Sequence, residues 1–222
     1  MSLRVGMRST RRAMAPQASR SGRPAGPCGA PQSRPICPPP PPPSDGAAGA
    51  SSDAERLPGF TDGLEEGDTV EVGRCTARVL FIPAHTRGHI AYVFDDAKAV
   101  FCGDTLFAGG CGRLFEGTPE MMYDAMRKLG ALPDDTRVYC GHEYTVANLT
   151  FAAHAEPDND AVKQALAAAK ARREKAAPDW HDAGPDEMTV PSTIADEHAT
   201  NPFMRADGPE ELGRRRAAKD SF

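Results

Sequence analysis

Residues 85–104 read HTRGHIAYVFDDAKAVFCGD, and this run decides the fold class. IAYVF and AVFCGD are short and rich in β-branched and aromatic residues. DDAK between them has turn chemistry, so the stretch predicts a β-hairpin. The ends carry reactive side chains: His85 and His89 lead into the hairpin and Asp104 leaves it. Loops at strand ends are where a rigid scaffold commonly presents functional groups.

Outward from the hairpin the pattern alternates. Upstream, EVGRCTARVLFIPAH (71–85) predicts a strand over roughly Ala77–Ile82. Downstream, TPEMMYDAMRKLGAL (118–132) predicts a helix with Thr118 as its cap and Pro119 in its first turn. Its buried stripe would be Met122, Ala125, Met126 and Leu129. RVYCGHEY (137–144) predicts another strand, with His142 in the loop that follows. After Thr145 the composition turns helical. NLTFAAHAE and DAVKQALAAAKARREKAA come first, the latter with Val162, Leu166 and Ala169 on one face, and PEELGRRRAAKDSF follows. Strands with an interleaved helix, then a helical part, place the chain in the α/β class.

The head of the chain differs. Residues 1–44 hold seven Arg, no Lys and no acid, and residues 38–43 are all Pro. Residues 1–57 are therefore predicted to be a disordered Arg/Pro-rich leader, with a polyproline II spacer at the proline run. Arg4, Arg8, Arg11 and Arg12 on one helical face suggest a mitochondrial presequence, the alternative being a cytoplasmic protein with an unstructured head. Residues 45–222 carry 19 Lys and Arg against 31 Asp and Glu, an acidic body with no nucleic-acid signature. No run approaches the roughly 18 apolar residues of a membrane span. The six Cys form no C-x-x-C pair, and the four in the body, Cys75, Cys102, Cys111 and Cys140, are read as reduced.

His89, Asp104 and His142 all follow or flank predicted strands, and two His with one Asp suit a borderline metal such as zinc or iron. Spacing alone leaves a plainer reading open, in which each His is a hydrogen-bonded loop residue. The words around them go further. HTRGH, GDTLFAGGCGRLFEGT, RVYCGHEYT, TVPSTIADEHATNPFMR and RRRAAKDSF occur in this order across about 150 residues. They resemble glyoxalase II, the hydroxyacylglutathione hydrolase branch of the metallo-β-lactamase superfamily.

That resemblance implies a fold, an activity and a site. The fold would be a partial αββα sandwich lacking its N-terminal part (58–145), followed by a helical glutathione-binding domain (146–222). The activity would be hydrolysis of S-(2-hydroxyacyl)glutathione thioesters such as S-D-lactoylglutathione, a step of methylglyoxal detoxification. Two metals would be bound, commonly zinc but also iron or manganese. His89 would be a ligand of one, His142 of the other, and Asp104 the catalytic bridge between them. His85 matches a non-ligand position. Arg113, Phe115, Tyr144, Arg216 and Lys219 match substrate contacts, the last two as the basic pair for the glycine carboxylate. Phe115 stands where many members have Tyr, so a hydroxyl contact is lost there.

The family's first metal motif, T-H-x-H-x-D-H, is absent. The six His are at 85, 89, 142, 154, 181 and 198. Each metal would then keep two protein ligands, where a catalytic zinc usually has about three. The expectations that follow are weak or no metal binding by the chain alone, and a sheet face covered by a partner. A misread upstream coding segment in place of the motif is the simplest account of the head. A non-catalytic glutathione-binding module is the second reading. A single-iron persulfide dioxygenase is a third, disfavoured because that family also uses the missing motif.

Overall fold

The computed structural model describes residues 8–9, 47–175, 184 and 187–222. The proline run, most of the Arg-rich head, Trp180 and His181 lie outside the described residues. The strands are β1 (Arg8–Ser9), β2 (Ala47–Ala50), β3 (Phe60–Leu64), β4 (Thr69–Val72), β5 (Cys75–Phe81), β6 (Ile90–Phe94), β7 (Ala99–Gly103), β8 (Leu106–Phe107), β9 (Gly110–Cys111), β10 (Arg137–Cys140) and β11 (Ser192–Thr193). The helices are α1 (Pro119–Gly130), α2 (Thr145–Ala155), α3 (Asp160–Lys175), α4 (Ile194–Thr200) and α5 (Pro209–Asp220).

The main sheet runs β1-β4-β5-β6-β7-β10-β11. All its pairs are antiparallel except β7 with β10. A parallel neighbour needs a crossover, and α1 supplies it. The DDAK turn closes β6 onto β7 with Tyr92 opposite Phe101. The turn ends on Lys98 at φ 47°, an unusual conformation for a residue other than glycine.

Period-two alternation sorts the strands onto two faces. Leu80, Ala91, Val93, Val100, Cys102 and Val138 join Met122, Ala125, Met126 and Leu129 of α1 in the main core. Thr118 caps α1 by accepting from the Met121 amide, as the sequence predicted. The opposite face carries a smaller cluster of Leu64, Val70, Ala77 and Val79 with Tyr92 and Phe94 against it. Phe101 on that face is exposed and stacks on Tyr139 at 4.9 Å between ring centres.

The leader boundary expected at residue 57 is corrected. Residues 47–57 belong to the body: β2 pairs in parallel with β3, and Ala50 is buried. The strand tolerates this close approach because Gly49 has no side chain; a Cβ there would lie 2.8 Å from Leu57 Cδ1. Arg56 then ties the segment to the loop before α1 through Glu116, with contacts of 2.6 and 3.1 Å.

The helical part begins at Thr145, beside the expected junction. Val162 and Ala169 are buried on α3, with Leu166 half-buried between them. It is not purely helical, since Ser192 and Thr193 add β11 to the main sheet. Among the described residues no helix is long and apolar enough to cross a membrane.

Candidate functional site

Asp104 sits just beyond β7, where Gly103 takes a positive φ of 53° and turns the chain out of the sheet. A side chain at 103 would collide with His89, lying 2.4 Å from its Nε2. His142 follows β10, and the two meet: its Nδ1–H donates to Asp104 Oδ1 at 2.7 Å. Gly141 permits this, because a Cβ there would lie 2.5 Å from the same oxygen. The parallel pairing of β7 with β10 brings the two strand ends side by side, which no local spacing could show.

His85 approaches the other carboxylate oxygen, with Nε2 3.7 Å from Asp104 Oδ2. Its Nδ1 lies 3.0 Å from the Arg113 carbonyl, which fixes the ring. His89 is placed differently. Its Nε2 lies 3.2 Å from both the Asp104 amide nitrogen and the Cys102 carbonyl, so it is committed to backbone. Burial, then the neighbouring His85, lowers its pKa. The expected trio thus comes together only in part, and His85 stands nearer the carboxylate than the sequence suggested.

The substrate-contact residues divide into three groups. Tyr144 is half exposed and stacks on His142 at 5.2 Å with an interplanar angle of 7°. Phe107, which the sequence reading passed over, packs edge-on against Tyr144 at 5.3 Å. Phe115 and Arg113 lie on the His85 side, both exposed; Phe115 rests on His85 at 5.1 Å, and Arg113 pairs with Asp220 at 3.3 Å.

Arg216 is set back from the surface. It is 5% exposed, and its guanidinium donates to the Cys111 carbonyl at 2.7 Å and to Asp220 at 3.1 Å. It also lies 5.3 Å from the centre of the Phe203 ring. The helix face that carries Arg216 is turned inward, because RRRAAKD places Arg216 one turn after buried Leu212. Lys219 donates to Asn148 Oδ1, and burial, then Arg216, pulls its pKa down to about 8. A cavity of about 310 Å³ lined by Arg113, Phe115, Arg216 and Asp220 opens beside this group.

The donor set does not fit a two-metal centre. Among the described residues no three His, Cys, Asp or Glu side chains converge on a point that could hold a metal ion. His89 is turned onto backbone, and residues 1–44 contain no His, Asp or Glu. The Asp104–His142 pair with His85 beside it is what the chain itself supplies.

Gly112 is the tightest packing point of the site. A Cβ there would lie 2.0 Å from the Asp104 carbonyl oxygen and 3.0 Å from His85 Nδ1. The first obstacle is backbone and cannot swing aside. Gly112→Ala is expected to cost about 2 kcal/mol or more, as overpacking of a dense interior does. Urea unfolding would measure it, and a loss under about 0.5 kcal/mol would show that the loop yields.

The comparisons with known proteins agree with one another. Residues 143–221 match the family described as hydroxyacylglutathione hydrolase C-terminus, and residues 16–142 match the metallo-beta-lactamase superfamily. The chain is 46% identical over 188 residues to a hydroxyacylglutathione hydrolase of Synechococcus sp. (strain ATCC 27144), covering 77% of this chain and 69% of that protein. It is 55% identical over 157 residues to the hydroxyacylglutathione hydrolase of Alkalilimnicola ehrlichii, covering 70% of this chain and 57% of that one. Against most of the relatives compared, the chain spans less than two thirds of their length. In structure it is similar to ETHE1 from Myxococcus xanthus, with a TM-score of 0.52 at 24% identity over 77% of this chain and 56% of the other. That likeness establishes the fold.

Proposed function

Because the chain belongs to the hydroxyacylglutathione hydrolase family of the metallo-β-lactamase superfamily, we propose that it serves the hydrolysis of S-(2-hydroxyacyl)glutathione thioesters. Water would add its oxygen to the acyl carbon, the C–S bond would break, and glutathione and a 2-hydroxy acid would leave. The observation that carries this reading is the Asp104–His142 pair, 2.7 Å apart, with Tyr144 stacked beside it on an open rim.

Membership implies a metal cofactor, and zinc, iron or manganese would supply a polarised water and a counter-charge for the developing oxyanion. The chain's own donors fall short of holding two such ions, so its own share is narrower. Asp104 and His142 hold each other in place at the rim. Tyr144 and Phe115 offer aromatic surfaces to the thioester and its peptide. Arg113 offers an exposed cation on the His85 side. Turnover then depends on ligands that the described residues do not contain.

The shortage of donors favours a second reading, a module that binds the glutathione thioester without cleaving it. One experiment separates the two. The chain is assayed for S-D-lactoylglutathione hydrolysis with zinc, iron or manganese, alone and mixed with a separate fragment bearing T-H-x-H-x-D-H. The proposal expects turnover with the fragment and little without it. Binding without turnover in both mixtures would leave only the second reading, and no binding at all would sink both. Tyr144→Ala should weaken binding about tenfold, or about 1.4 kcal/mol, by isothermal titration. Unchanged affinity would remove Tyr144 from the contact set.

A further inference from the structure

The segment between Asp104 and Arg113 folds into a short hairpin, β8 with β9, closed by Ala108 and Gly109, with Gly109 at φ 66°. A turn this tight leaves backbone groups that the hairpin cannot pair, and these are buried. Buried amides and carbonyls need partners. Here three side chains of the helical part provide them. Glu197 Oε2 accepts the Gly109 N–H at 3.0 Å. The Asn201 amide donates to the Gly110 carbonyl at 2.9 Å and shares a longer, 3.3 Å contact with the Phe107 carbonyl. The Asn148 amide donates to the Ala108 carbonyl at 3.1 Å. Asn201 also donates to Glu197 Oε2 at 2.8 Å, which locks the two together. Glu197 is 1% exposed and Asn201 fully buried.

The clamped turn holds the Phe107 ring, itself buried, which reaches the open rim from below. It meets Tyr144 edge-on at 5.3 Å and His142 at 6.3 Å. The parallel His142–Tyr144 stack therefore rests on a ring whose turn is fixed from α2, from α4 and from the residue after α4.

We propose that Glu197 and Asn201 are positioning residues for the candidate site, setting the Tyr144 and His142 rings through the backbone of residues 107–110. Neither touches the rim. They act by fixing Phe107, so their loss should free the stack before it unfolds the protein. The link to ligand binding rests on Tyr144 as a glutathione contact, whereas the link to ring placement does not.

The test follows the rings directly. NOEs between Phe107 and Tyr144 are recorded in the full chain, together with affinity for S-methylglutathione, a thioether that cannot be hydrolysed, and the thermal midpoint. Glu197→Ala and Asn201→Ala are expected to lose the NOEs and weaken affinity about tenfold. Glu197→Gln keeps an oxygen acceptor in place and should retain both. Val162→Ala, a buried site on α3 outside the clamp, should lower the midpoint yet keep NOEs and affinity. NOEs intact in a folded Glu197→Ala protein, or lost in Val162→Ala as well, would overturn the proposal. Should Glu197→Ala fail to fold, Phe107→Leu decides. It keeps the clamp and removes the ring, so unchanged affinity there would overturn the proposal. A wild-type chain that shows the NOEs but binds no S-methylglutathione would count against the functional reading while the ring measurement still decides this one.

Discussion

Truncating Phe203 to alanine is expected to remove about 3–5 kcal/mol of folding stability, the range for deleting a buried aromatic ring. The ring is fully buried in the main core and stacks on Phe151 of α2 with centres 5.9 Å apart. The Arg216 guanidinium lies over the same ring, 5.3 Å from its centre, so the ring contacts both α2 and α5. Three losses coincide on truncation: the transfer energy of the ring, the cavity it leaves, and a cation–π contact worth about 0.5–2 kcal/mol. A domain has about 5–15 kcal/mol of net stability, so the variant would sit near the edge of folding. Urea unfolding by circular dichroism would measure it. Met188→Ala, at a residue 40% exposed, should stay within about 0.5 kcal/mol. A loss under about 1 kcal/mol at Phe203 would mean that the helical part is not docked through this ring.

The same residues show which parts of the molecule the sequence could disclose. The β6–β7 hairpin was legible because its turn chemistry and its apolar runs agree. Helix α1 was legible because its cap, its Pro and its four-residue stripe all give the same bounds, and the buried residues match that stripe. The strand β2 was not legible. AAGA has neither β-branched residues nor alternation, and its strand form depends on a parallel partner and on Gly49 admitting Leu57. The burial of Arg216 was not legible either. A basic helix face reads as solvated unless something shows which side is inward, and its partner is a backbone carbonyl 105 residues away.

The candidate site divides in the same manner. Asp104 and His142 could be named from their places after strands, but their contact requires the β7–β10 pairing. His85 and His89 could not be ranked by spacing, since their roles turn on which ring meets backbone. The EHAT segment gave no chemical signal, although it carries Glu197. Its local signature was a capping box, Thr193 with Asp196, which announces a helix start and nothing about what the next carboxylate faces. Asn201 ends that helix, and only the fold shows that its amide serves a turn ninety-one residues earlier in the chain.

Glu197→Gln is expected to stabilise the protein at pH 8 by about 3 kcal/mol relative to wild type, and to leave it almost unchanged at pH 4.5. Burial is the largest influence on Glu197 and pushes its pKa from 4.5 up to about 7. Contacts from Ser192, Asn201 and the Gly109 amide pull the other way, and Asp196 adds to the rise. Asp196 and Arg172 also line the cavity of about 210 Å³ that Glu197 borders, so they are the charged groups facing it there. Between about pH 4.5 and about 7 the unfolded chain has released this proton while the folded chain still holds it. Stability from this group is therefore full below that window and falls as pH rises through it. A rise from 4.5 to about 7 corresponds to about 3 kcal/mol at most. In the neutral acid, Oε2 can still accept from Gly109 and Asn201, leaving the proton on Oε1. Glutamine reproduces that neutral form at every pH, and so removes the cost without removing the clamp. Urea unfolding at pH 4.5, 6 and 8 would show the advantage of Gln growing with pH. A difference that stays constant across the three would mean that Glu197 titrates alike in the folded and unfolded chain, so that burial does not raise its pKa.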